Sequence, residues 1–401
     1  MEQDIIIVGG GAAGFFTAIN AAENDPSARI TILERGKEVL NKVRISGGGR
    51  CNVTHAEFLP KELTRNYPRG EKELRGPFHS FMTGDTIEWF EKRGVPLKIE
   101  EDGRMFPESD SSESIIDLFL NETRRLGVKV LTKRAVQEIV QKGEKWEIIT
   151  SQENFTAEKL LIATGSNPKI WKLLEKLGHS IVPGVPSLFT FNITDKRIKE
   201  LPGVATPAIV RIRGEKLQTE GPLLITHWGM SGPAILKLSA WGARELSGRK
   251  NFEIEVNWVP HLEKDEVLDQ LQELKMKNGK QQPYKNAQFD LPKRLWQSLV
   301  TASAISEADK WADLNKKQLE ELAKQLYSGI FQVHGKSTFK EEFVTAGGVE
   351  LKEVNFKRFE SKVHKNLFLA GEVLNIDAIT GGFNFQNAWT GGFLAAKAMT
   401  E

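Results

Sequence analysis

The stretch DIIIVGGGAAG, residues 4–14, constrains the fold of this chain more than any other. Its first half is a short, β-branched apolar run, which is the pattern of a strand buried on both faces of a parallel sheet. Gly9, Gly11 and Gly14 then give the G-x-G-x-x-G spacing, and a helical pattern follows over 12–22. The first glycine allows a tight turn, the second lets a pyrophosphate approach the backbone, and the third lets the helix pack against the strand.

The segment that follows this turn supports a dinucleotide site. The next strand pattern, RITIL at 29–33, ends on Glu34, 20 residues after Gly14. An acid at that point accepts hydrogen bonds from the ribose hydroxyls, and the N-terminus of a helix attracts phosphate. This order favours adenine dinucleotide binding over a glycine turn without a ligand. Three further residues are expected at this cofactor site: Ala12, Ala13 and Arg35.

A second glycine-rich loop, KVRISGGGRCNVT, covers residues 42–54. Three consecutive glycines between Arg44 and Arg50 suit a loop that is pressed against an anion or a flat ring. The alternative is a flexible linker, but a linker is not usually followed at once by Arg-Cys-Asn. We therefore expect this loop to carry function.

Further strand patterns precede another ligand-type turn in the middle of the chain. The last of them runs into Thr164-Gly165, and the carboxyl ends of strands are where α/β sheets bind their ligands. Val136, which begins the second of them, is included among the expected cofactor contacts. The patterns lie at 129–132, 136–141, 146–150 and 159–163.

The C-terminal segment repeats the order of strand, glycines and helix. The run 367–370 has the pattern of a buried strand, Gly371-Glu372 is its carboxyl-end turn, and the last helix is predicted over 388–399. A helix N-terminus aimed at a flavin would stabilise the negative charge of the reduced ring. Three candidate residues lie just before that helix: Gly381, Gly382 and Asn384.

The length of 401 residues indicates more than one domain. Hydrophobic residues are 40% and charged residues 27%, the balance of a globular chain, and a net charge of +2 gives no global attraction to nucleic acid or anionic lipid. The cofactor motifs stop before Pro183 and resume near Phe343. The predicted domains are a cofactor-binding domain of 1–189 and 338–401, an inserted β part at 190–261 and an inserted helical part at 262–337.

Several classes of protein are excluded by features that the sequence lacks. With one cysteine, Cys51, the chain has neither an internal disulfide nor a C-x-x-C redox pair. No run reaches the roughly 18 apolar residues of a membrane helix, and the N-terminus lacks the pattern of a signal peptide. We therefore expect a cytoplasmic protein without a membrane partner, and we predict no metal site. No second G-x-G-x-x-G follows a strand in mid-chain, so NAD(P)H would have to bind as an ordinary substrate.

Four motifs together resemble the BaiN-like (YhiN-like) bacterial flavoproteins, relatives of the glutathione-reductase-type FAD enzymes. They are the N-terminal fingerprint, KVRISGGGRCNVT, LLITHWGMSGPAILKLS (223–239) and GEVLNIDAITGGFNFQNAW (371–389). The match spans almost the whole chain, and the second and fourth motifs are specific to this family. The resemblance implies an α/β fold, a Rossmann-like FAD-binding domain that is split in sequence, with an inserted β-barrel plus helical domain. It also implies FAD-dependent oxidoreductase activity; members are linked to reduction of dehydro bile acids or to aminoacetone oxidation.

The same resemblance carries cofactor roles onto residues of this chain. The ADP half of FAD would be held by Gly9, Gly11, Gly14 and Glu34. The isoalloxazine would be lined by Gly48, Gly49, Arg50, Cys51 and Asn52. The ribityl and pyrimidine side would be held by Gly371, Glu372, Gly381, Gly382 and Asn384. The remaining expected contacts are Lys42, Val136, Thr164 and Gly165.

The fourth motif departs from the family at two positions. Where the family usually has Leu-Asp and then a Gly, this chain has Leu374-Asn375 and Ala378. The loop is therefore expected to be less acidic, although Glu372 is retained.

Three residues are candidates for catalysis, and each has an alternative role. Cys51 is a catalytic thiol beside the flavin or a small apolar residue packed under the ring. His227 is a proton donor or satisfies a hydrogen bond in the core. Arg50, with Arg104, is a candidate for holding an anionic substrate or the reduced flavin.

Two functions from different classes remain open. In the first, bound FAD exchanges a hydride with a small organic substrate, such as a cyclic enone, in a cavity beside the inserted domain. In the second, FAD is a structural or redox-sensing element, and the lysine-bearing helices contact RNA or another polyanion. Lysine alternates with glutamate over 262–330, which favours the enzyme and argues against a nucleic-acid partner.

Overall fold

The computed structural model describes residues 4–337 and 344–401. The chain divides into two compact units. The first unit comprises Met1–Val185 with Val344–Glu401, and the second comprises Pro186–Phe343. The first unit is therefore discontinuous in sequence, with the second inserted between its two parts.

The strands are β1 (Asp4–Val8), β2 (Arg29–Leu33), β3 (Thr54–His55), β4 (Leu97–Ile99), β5 (Arg104–Pro107), β6 (Lys129–Leu131), β7 (Val136–Lys142), β8 (Lys145–Thr150), β9 (Asn154–Ala157), β10 (Lys159–Ile162), β11 (Ile181–Ser187), β12 (Thr190–Asn192), β13 (Ala205–Ile212), β14 (Gln218–Thr226), β15 (Gly229–Ser231), β16 (Phe252–Asn257), β17 (Gly329–Val333), β18 (Gly335–Ser337), β19 (Val344–Val349), β20 (Val354–Asn355), β21 (Glu360–Ser361) and β22 (Leu367–Leu369). The α-helices are α1 (Ala12–Asn24), α2 (Asn41–Gly49), α3 (Pro60–Thr64), α4 (Glu71–Leu74), α5 (Thr83–Glu91), α6 (Glu113–Arg125), α7 (Pro168–Lys176), α8 (Pro233–Trp241), α9 (Ala243–Ser247), α10 (Lys264–Lys277), α11 (Lys293–Ala302), α12 (Lys316–Ser328) and α13 (Phe383–Met399). Short 3-10 helices lie at Pro77–His79, Pro283–Lys285, Trp311–Asp313 and Leu351–Glu353.

The main sheet of the first unit has the strand order β20-β21-β22-β10-β1-β2-β6 among the described residues. The strands from β22 to β6 pair in parallel, and Ile7 of β1 lies between Leu161 of β10 and Ile32 of β2. The apolar side chains of β1 are buried on both faces, as its unbroken β-branched pattern predicts. All these parallel strands end at one edge, so the turns after β1, β2, β10 and β22 meet there.

Helices α1 and α13 cross closely beside this sheet. Phe16 of α1 has its ring centroid 4.4 Å from that of Trp89 and 5.2 Å from that of Trp389 on α13. Trp389 also donates from Nε1 to the carbonyl of Val53 at 2.9 Å. Each fully buried large apolar side chain contributes about 1.5–3 kcal/mol, so this aromatic cluster holds α13 in place against α1.

The second unit contains an antiparallel sheet with the order β17-β16-β13-β14-β15-β12-β18, seven strands within the described residues. Helices α10, α11 and α12 share its hydrophobic core, which includes Trp258, Trp296 and Trp311. The range 262–337, predicted as helical, ends in β17 and β18. The sequence analysis did not predict these two strands. In the structure Gly329 ends α12, and the chain then returns to pair with β16.

Three local features differ from the sequence prediction. Helix α13 begins at Phe383, five residues before the predicted start. The residue before it, Gly382, has a left-handed backbone with φ of +93°, and the helix begins directly after this residue. Residues 41–49 are largely helical, but Ser46, Gly47 and Gly48 leave helical geometry, so the glycine run is still a loop. Strand β9 was not predicted.

Within the described residues, no helix is both long and apolar enough to cross a membrane. The same part of the chain holds no group of three or more His, Cys, Asp or Glu side chains arranged to bind a metal ion.

Candidate functional site

Each glycine of the fingerprint turn after β1 has different steric surroundings. Gly9 has φ of +119°, and a Cβ there would lie 2.4 Å from the carbonyl oxygen of Ala163. A Cβ on Gly14 would lie 2.0 Å from the carbonyl oxygen of Gly9, so only glycine lets α1 pack this closely. A Cβ on Gly11 would meet no other described atom within 4 Å. The second glycine therefore borders open space, where a ligand has room to approach the backbone.

This open space lies at the N-terminus of α1. In the described chain no side chain caps the helix start, and its first turn holds no acidic residue. The first N–H groups of a helix have no partner within the helix, and the helix dipole favours negative charge beside them. Ala12 and Ala13, the first two residues of α1, can therefore donate to an anion, and their contact with a phosphate stays a prediction.

Glu34 is the second element of this site. One of its carboxylate oxygens accepts from Gly10 N–H at 2.9 Å, and the other accepts from Gly36 N–H at 2.7 Å. A carboxylate has about four lone-pair sites, so capacity remains for two ribose hydroxyls. Arg134 N–H donates to the carbonyl of Glu34 at 2.8 Å, which brings the segment before Val136 alongside. Val136 is half-buried at the start of β7, and Arg35 is exposed.

These features fit the ADP half of FAD. The turn offers space that a Cβ at Gly11 would fill, N–H donors at the start of α1, and a carboxylate with free lone pairs at Glu34. Those three groups correspond to the pyrophosphate and ribose of a dinucleotide.

The turns after β10 and β22 join the same edge of the sheet. A Cβ on Gly371 would lie 3.4 Å from that of Ala13, and a Cβ on Gly165 would lie 3.6 Å from Oε2 of Glu372. Lys42 forms an ion pair with that Glu372 oxygen. The predicted residues of four distant segments are thus brought together, with the half-buried Thr164 beside Gly165.

The loop after α2 is joined to the turn before α13. With its amide oriented to suit its neighbours, Asn52 accepts from Gly382 N–H at 3.0 Å and donates to the carbonyl of Thr54 at 3.0 Å. His55 Nδ1 lies 3.1 Å from the carbonyl oxygen of Gly381. A Cβ on Gly382 would lie 2.5 Å from Thr54 oxygen, so this close approach requires glycine. Gly48 borders open space, since no other described atom lies within 4 Å of a Cβ built there.

Asn384 is occupied within its own loop. Its side-chain oxygen accepts from Ala378 N–H at 3.0 Å, and its Nδ2 donates to Ala378 oxygen at 3.3 Å. Both ends of its amide hold the loop, so its direct contact with a pyrimidine ring stays a prediction.

The same loop retains a buried acid despite the Asn375 departure. Asp377 is fully buried and forms an ion pair with Arg69. A carboxylate thus lies two residues after Asn375, and Arg69 compensates its charge; the comparison with the family at Asn375 and Ala378 stays a prediction. Sequence reasoning missed this pair because nothing in the local pattern relates positions that are 308 residues apart.

Arg50 is paired with two carboxylates. Its Nη1 lies 2.5 Å from Oε1 of Glu100 and 3.4 Å from Oδ1 of Asp110, and its guanidinium stacks 3.9 Å from the ring centroid of Phe106. The hydrogen bond to Glu100 raises the pKa of Arg50 above its usual value. Arg104 shares Glu100 at 3.1 Å. Both arginines proposed for anion binding are thus held in a network of carboxylates.

The environment of Cys51 favours the packing alternative over the catalytic thiol. The residue is fully buried, and burial raises the pKa of its thiol to about 12. A thiol protonated at neutral pH is a poor nucleophile. Its backbone has φ of +62°, which is uncommon for a residue other than glycine and ends the glycine loop sharply.

His227 lies in the turn between β14 and β15 of the second unit. It is exposed, beside Trp228, whose ring centroid is 6.4 Å away. Exposure contradicts the alternative that His227 satisfies a hydrogen bond in the core. Its role as a proton donor stays a prediction.

The family model of the HI0933-like protein Rossmann domain matches residues 3–398. The chain belongs to the HI0933-like Rossmann family. This match confirms the family resemblance inferred from the motifs, and with the parallel sheet it confirms the predicted α/β Rossmann-like class.

Relatives of this HI0933-like chain align over nearly its whole length. The 3-dehydro-bile acid delta(4,6)-reductase of Clostridium scindens is 29% identical over 410 residues, with 98% of each chain covered. Ribosomal RNA dihydrouridine synthases of Haemophilus influenzae and Escherichia coli are 28% and 27% identical, and each alignment covers 99% of this chain and 98% of the relative. The chain is an oxidoreductase, as the sequence predicted.

Solved structures share the fold at low sequence identity. The 3-ketosteroid-delta4-(5alpha)-dehydrogenase of Rhodococcus jostii, in complex with 4-androstene-3,17-dione, has a TM-score of 0.51 at 12% identity, covering 100% of this chain and 96% of its own. The open conformation of a flavocytochrome c3 fumarate reductase has a TM-score of 0.50 at 14% identity, covering 100% and 78%. At these identities, the likeness concerns the fold alone.

Proposed function

We propose that this protein binds FAD and uses it to reduce a small organic substrate. The observation that carries the proposal is the open space at Gly11, between the uncapped start of α1 and the carboxylate of Glu34. Together these groups match a dinucleotide in chemistry and order. FAD, when bound, accepts and delivers a hydride.

The residues of this chain supply binding and orientation. Glu34 holds the adenosine ribose, and the N–H groups of Ala12 and Ala13 hold the pyrophosphate. Glu372, which is paired with Lys42, is proposed to hold the ribityl chain. The N-terminus of α13, beginning at Phe383, favours negative charge on the reduced ring. Arg50, which is paired with Glu100 and Asp110, is proposed to place a positive charge near the reduced ring.

The substrate class that we propose is a carbon–carbon double bond conjugated with a carbonyl. The names of the relatives support it, since a 3-dehydro-bile acid delta(4,6)-reductase and a dihydrouridine synthase both reduce such a bond. The reaction adds a hydride to the β-carbon and a proton to the α-carbon. His227 stays the candidate proton donor. NADH or NADPH is proposed as a diffusible electron donor.

The helical range of the second unit argues for a small substrate over RNA. Residues 262–337 hold 12 Lys or Arg and 11 Asp or Glu, so the segment has almost no net charge. RNA binding depends on neutralising phosphates with an excess of basic residues. The two ribosomal RNA dihydrouridine synthases nevertheless make uridine in RNA a specific alternative substrate. We propose that the insertion, 190–337, forms a body of its own.

An anaerobic redox cycle tests this function. Purified protein is titrated with FAD, reduced with NADH or NADPH, and then mixed with a cyclic enone, free uridine or a uridine-containing RNA. We expect a flavin absorbance band at about 450 nm that is lost on reduction and recovered when the enone is added. If the flavin absorbance is recovered only with RNA, the substrate is RNA and not a small molecule. Protein that takes up no FAD, or flavin that no donor reduces, would contradict the proposal.

A further inference from the structure

The segment 66–70, here called the brace, runs beside the loop 376–383 that leads into α13. Arg69 and Asp377 form an antiparallel β-bridge between the two segments. Ile379 N–H donates to the carbonyl of Asn66 at 3.0 Å. The brace therefore follows the backbone of the loop over several residues.

An ion pair ties the brace to the loop at its centre. Arg69 Nε donates to Oδ1 of Asp377, and Arg69 Nη2 donates to Oδ2 of the same carboxylate. The Arg69 side chain is 14% exposed and that of Asp377 is 0% exposed. Two parallel contacts fix the orientation of both groups as well as their separation. A carboxylate buried this completely destabilises the fold strongly once its cation is removed.

Two further contacts join the brace to the two ends of the loop. The Tyr67 hydroxyl donates to the carbonyl of Phe383, the first residue of α13, at 2.5 Å. Gly70 has φ of +97°, and a Cβ there would lie 2.8 Å from Cγ1 of Ile376. Both ends of the loop thus pack directly on the brace.

We propose that Arg69 and Asp377 are positioning residues that would hold the start of α13 in place for the flavin and keep the loop that leads into α13 electrically neutral. This inference rests on the proposed function, because it assigns α13 to the flavin. Reduction places negative charge on the flavin ring, and preorganised dipoles and charges near developing charge decide how favourable that step is. With Arg69 present, the buried Asp377 adds no net negative charge beside it.

The reduction potential of the bound flavin tests this role, because opposite shifts in the two single variants report the charges of the pair, whereas a loss of packing alone would shift the potential of both variants in the same direction. Asp377→Asn keeps the shape and an oxygen acceptor for Arg69 but removes the negative charge of the pair. We expect two-electron reduction to become about tenfold more favourable, a shift of about +30 mV. Arg69→Met removes the positive charge of the pair and shifts the potential the other way. The double variant, neutral at both positions, returns toward the wild-type potential.

An exposed ion pair near the brace provides the matched control. Arg65 pairs with Glu62 across one turn, with side chains 56% and 36% exposed. The Arg65→Met and Glu62→Gln variants should leave the potential unchanged. If Arg69→Met does not fold, the sign of the Asp377→Asn shift still decides.

The failures of the two proposals are distinguishable. Asp377→Asn that binds FAD with the wild-type potential, or with a negative shift, overturns the positioning role and leaves FAD binding standing. A wild-type protein that takes up no FAD overturns the proposed function, and the positioning role with it.

Discussion

The carboxylate of Glu34 accepts a hydrogen bond from the backbone N–H of Gly10 at 2.9 Å. Glu34, which follows β2, is therefore hydrogen-bonded to the glycine turn after β1. Its second carboxylate oxygen accepts from Gly36 N–H at 2.7 Å. Backbone donors orient the carboxylate without using all of its lone pairs. A ribose bound here would find its acceptor already in position.

Glu34→Ala should weaken FAD binding by about 10- to 150-fold, since a hydrogen bond to a charged group contributes about 1.5–3 kcal/mol. Fluorescence titration of the apoprotein with FAD measures the change. Glu38→Ala, which alters an exposed acid in the same turn, is the matched control and should bind as the wild type does. Unchanged affinity in Glu34→Ala would mean that the ribose lies elsewhere.

Gly11→Ala should separate cofactor binding from folding. The backbone of Gly11, with φ of −101° and ψ of −169°, suits alanine, and the added Cβ meets only open space. We expect the apoprotein to melt at the wild-type temperature while FAD affinity falls at least about tenfold, because the methyl group occupies the pyrophosphate position. Gly14→Ala is the contrasting variant: its Cβ would clash with Gly9 oxygen, so the apoprotein itself should be destabilised. Full FAD affinity in Gly11→Ala would contradict the assignment of this space.

Arg50→Ala should slow flavin reduction more than it weakens FAD binding. The lost charge-assisted interaction is worth about 1.5–3 kcal/mol, which corresponds to roughly 10- to 150-fold in rate. Stopped-flow reduction compares it with Arg44→Ala, which removes an exposed arginine of the same loop that pairs with Glu113. Equal reduction rates together with lowered FAD affinity would show that Arg50 holds the cofactor and does not tune it.

Cys51 should resist alkylation in the native protein. Burial and a pKa of about 12 keep its thiol protonated and out of reach, whereas unfolding exposes it. Because the chain has one cysteine, the mass gained from iodoacetamide at pH 8, with and without urea, reports on this residue alone. Cys51→Ala should retain flavin reduction. Rapid labelling of the native protein would instead support the hypothesis that Cys51 is a catalytic thiol.

His179 should make the fold less stable as the pH falls below about 6.5. It is 3% exposed, with Nδ1 3.0 Å from Glu353 and Nε2 3.1 Å from the Ser361 hydroxyl. Burial lowers the pKa of His179 below its ordinary value of 6.5, despite the opposing effect of Glu353. Below pH 6.5 the unfolded chain therefore binds a proton that the folded chain does not, so the free energy of unfolding decreases.

Urea unfolding between pH 5.5 and 8 measures this dependence. The carboxyl of Glu353 does not titrate in this window, because its pKa is lowered in the folded protein. His179→Asn should flatten the slope, whereas His261→Asn, which removes an exposed histidine, should leave it as it is. An unchanged slope in His179→Asn would assign the pH dependence to another group.

Local patterns were sufficient to predict the elements around the glycine turn. The β-branched run of β1, the glycine spacing and Glu34 lie within one short stretch of the sequence, although the steric constraint on Gly9 comes from the distant Ala163. Their steric reasons, such as the contact of Gly14 with Gly9 oxygen, follow from a strand, a turn and a helix in immediate succession. The fold class followed from the same pattern.

Contacts between distant segments were decided by the tertiary structure alone. Asn52 meets Gly382, and Arg69 compensates Asp377, only after the sheet has brought the two ends of the first unit together. The periodicity of a sequence reports which face of an element is apolar, but it carries no record of which buried charge meets which partner. Thus the sequence determined where a dinucleotide site begins, whereas the folded chain determined that Arg50 is bound by carboxylates, that Cys51 is buried, and which brace holds α13.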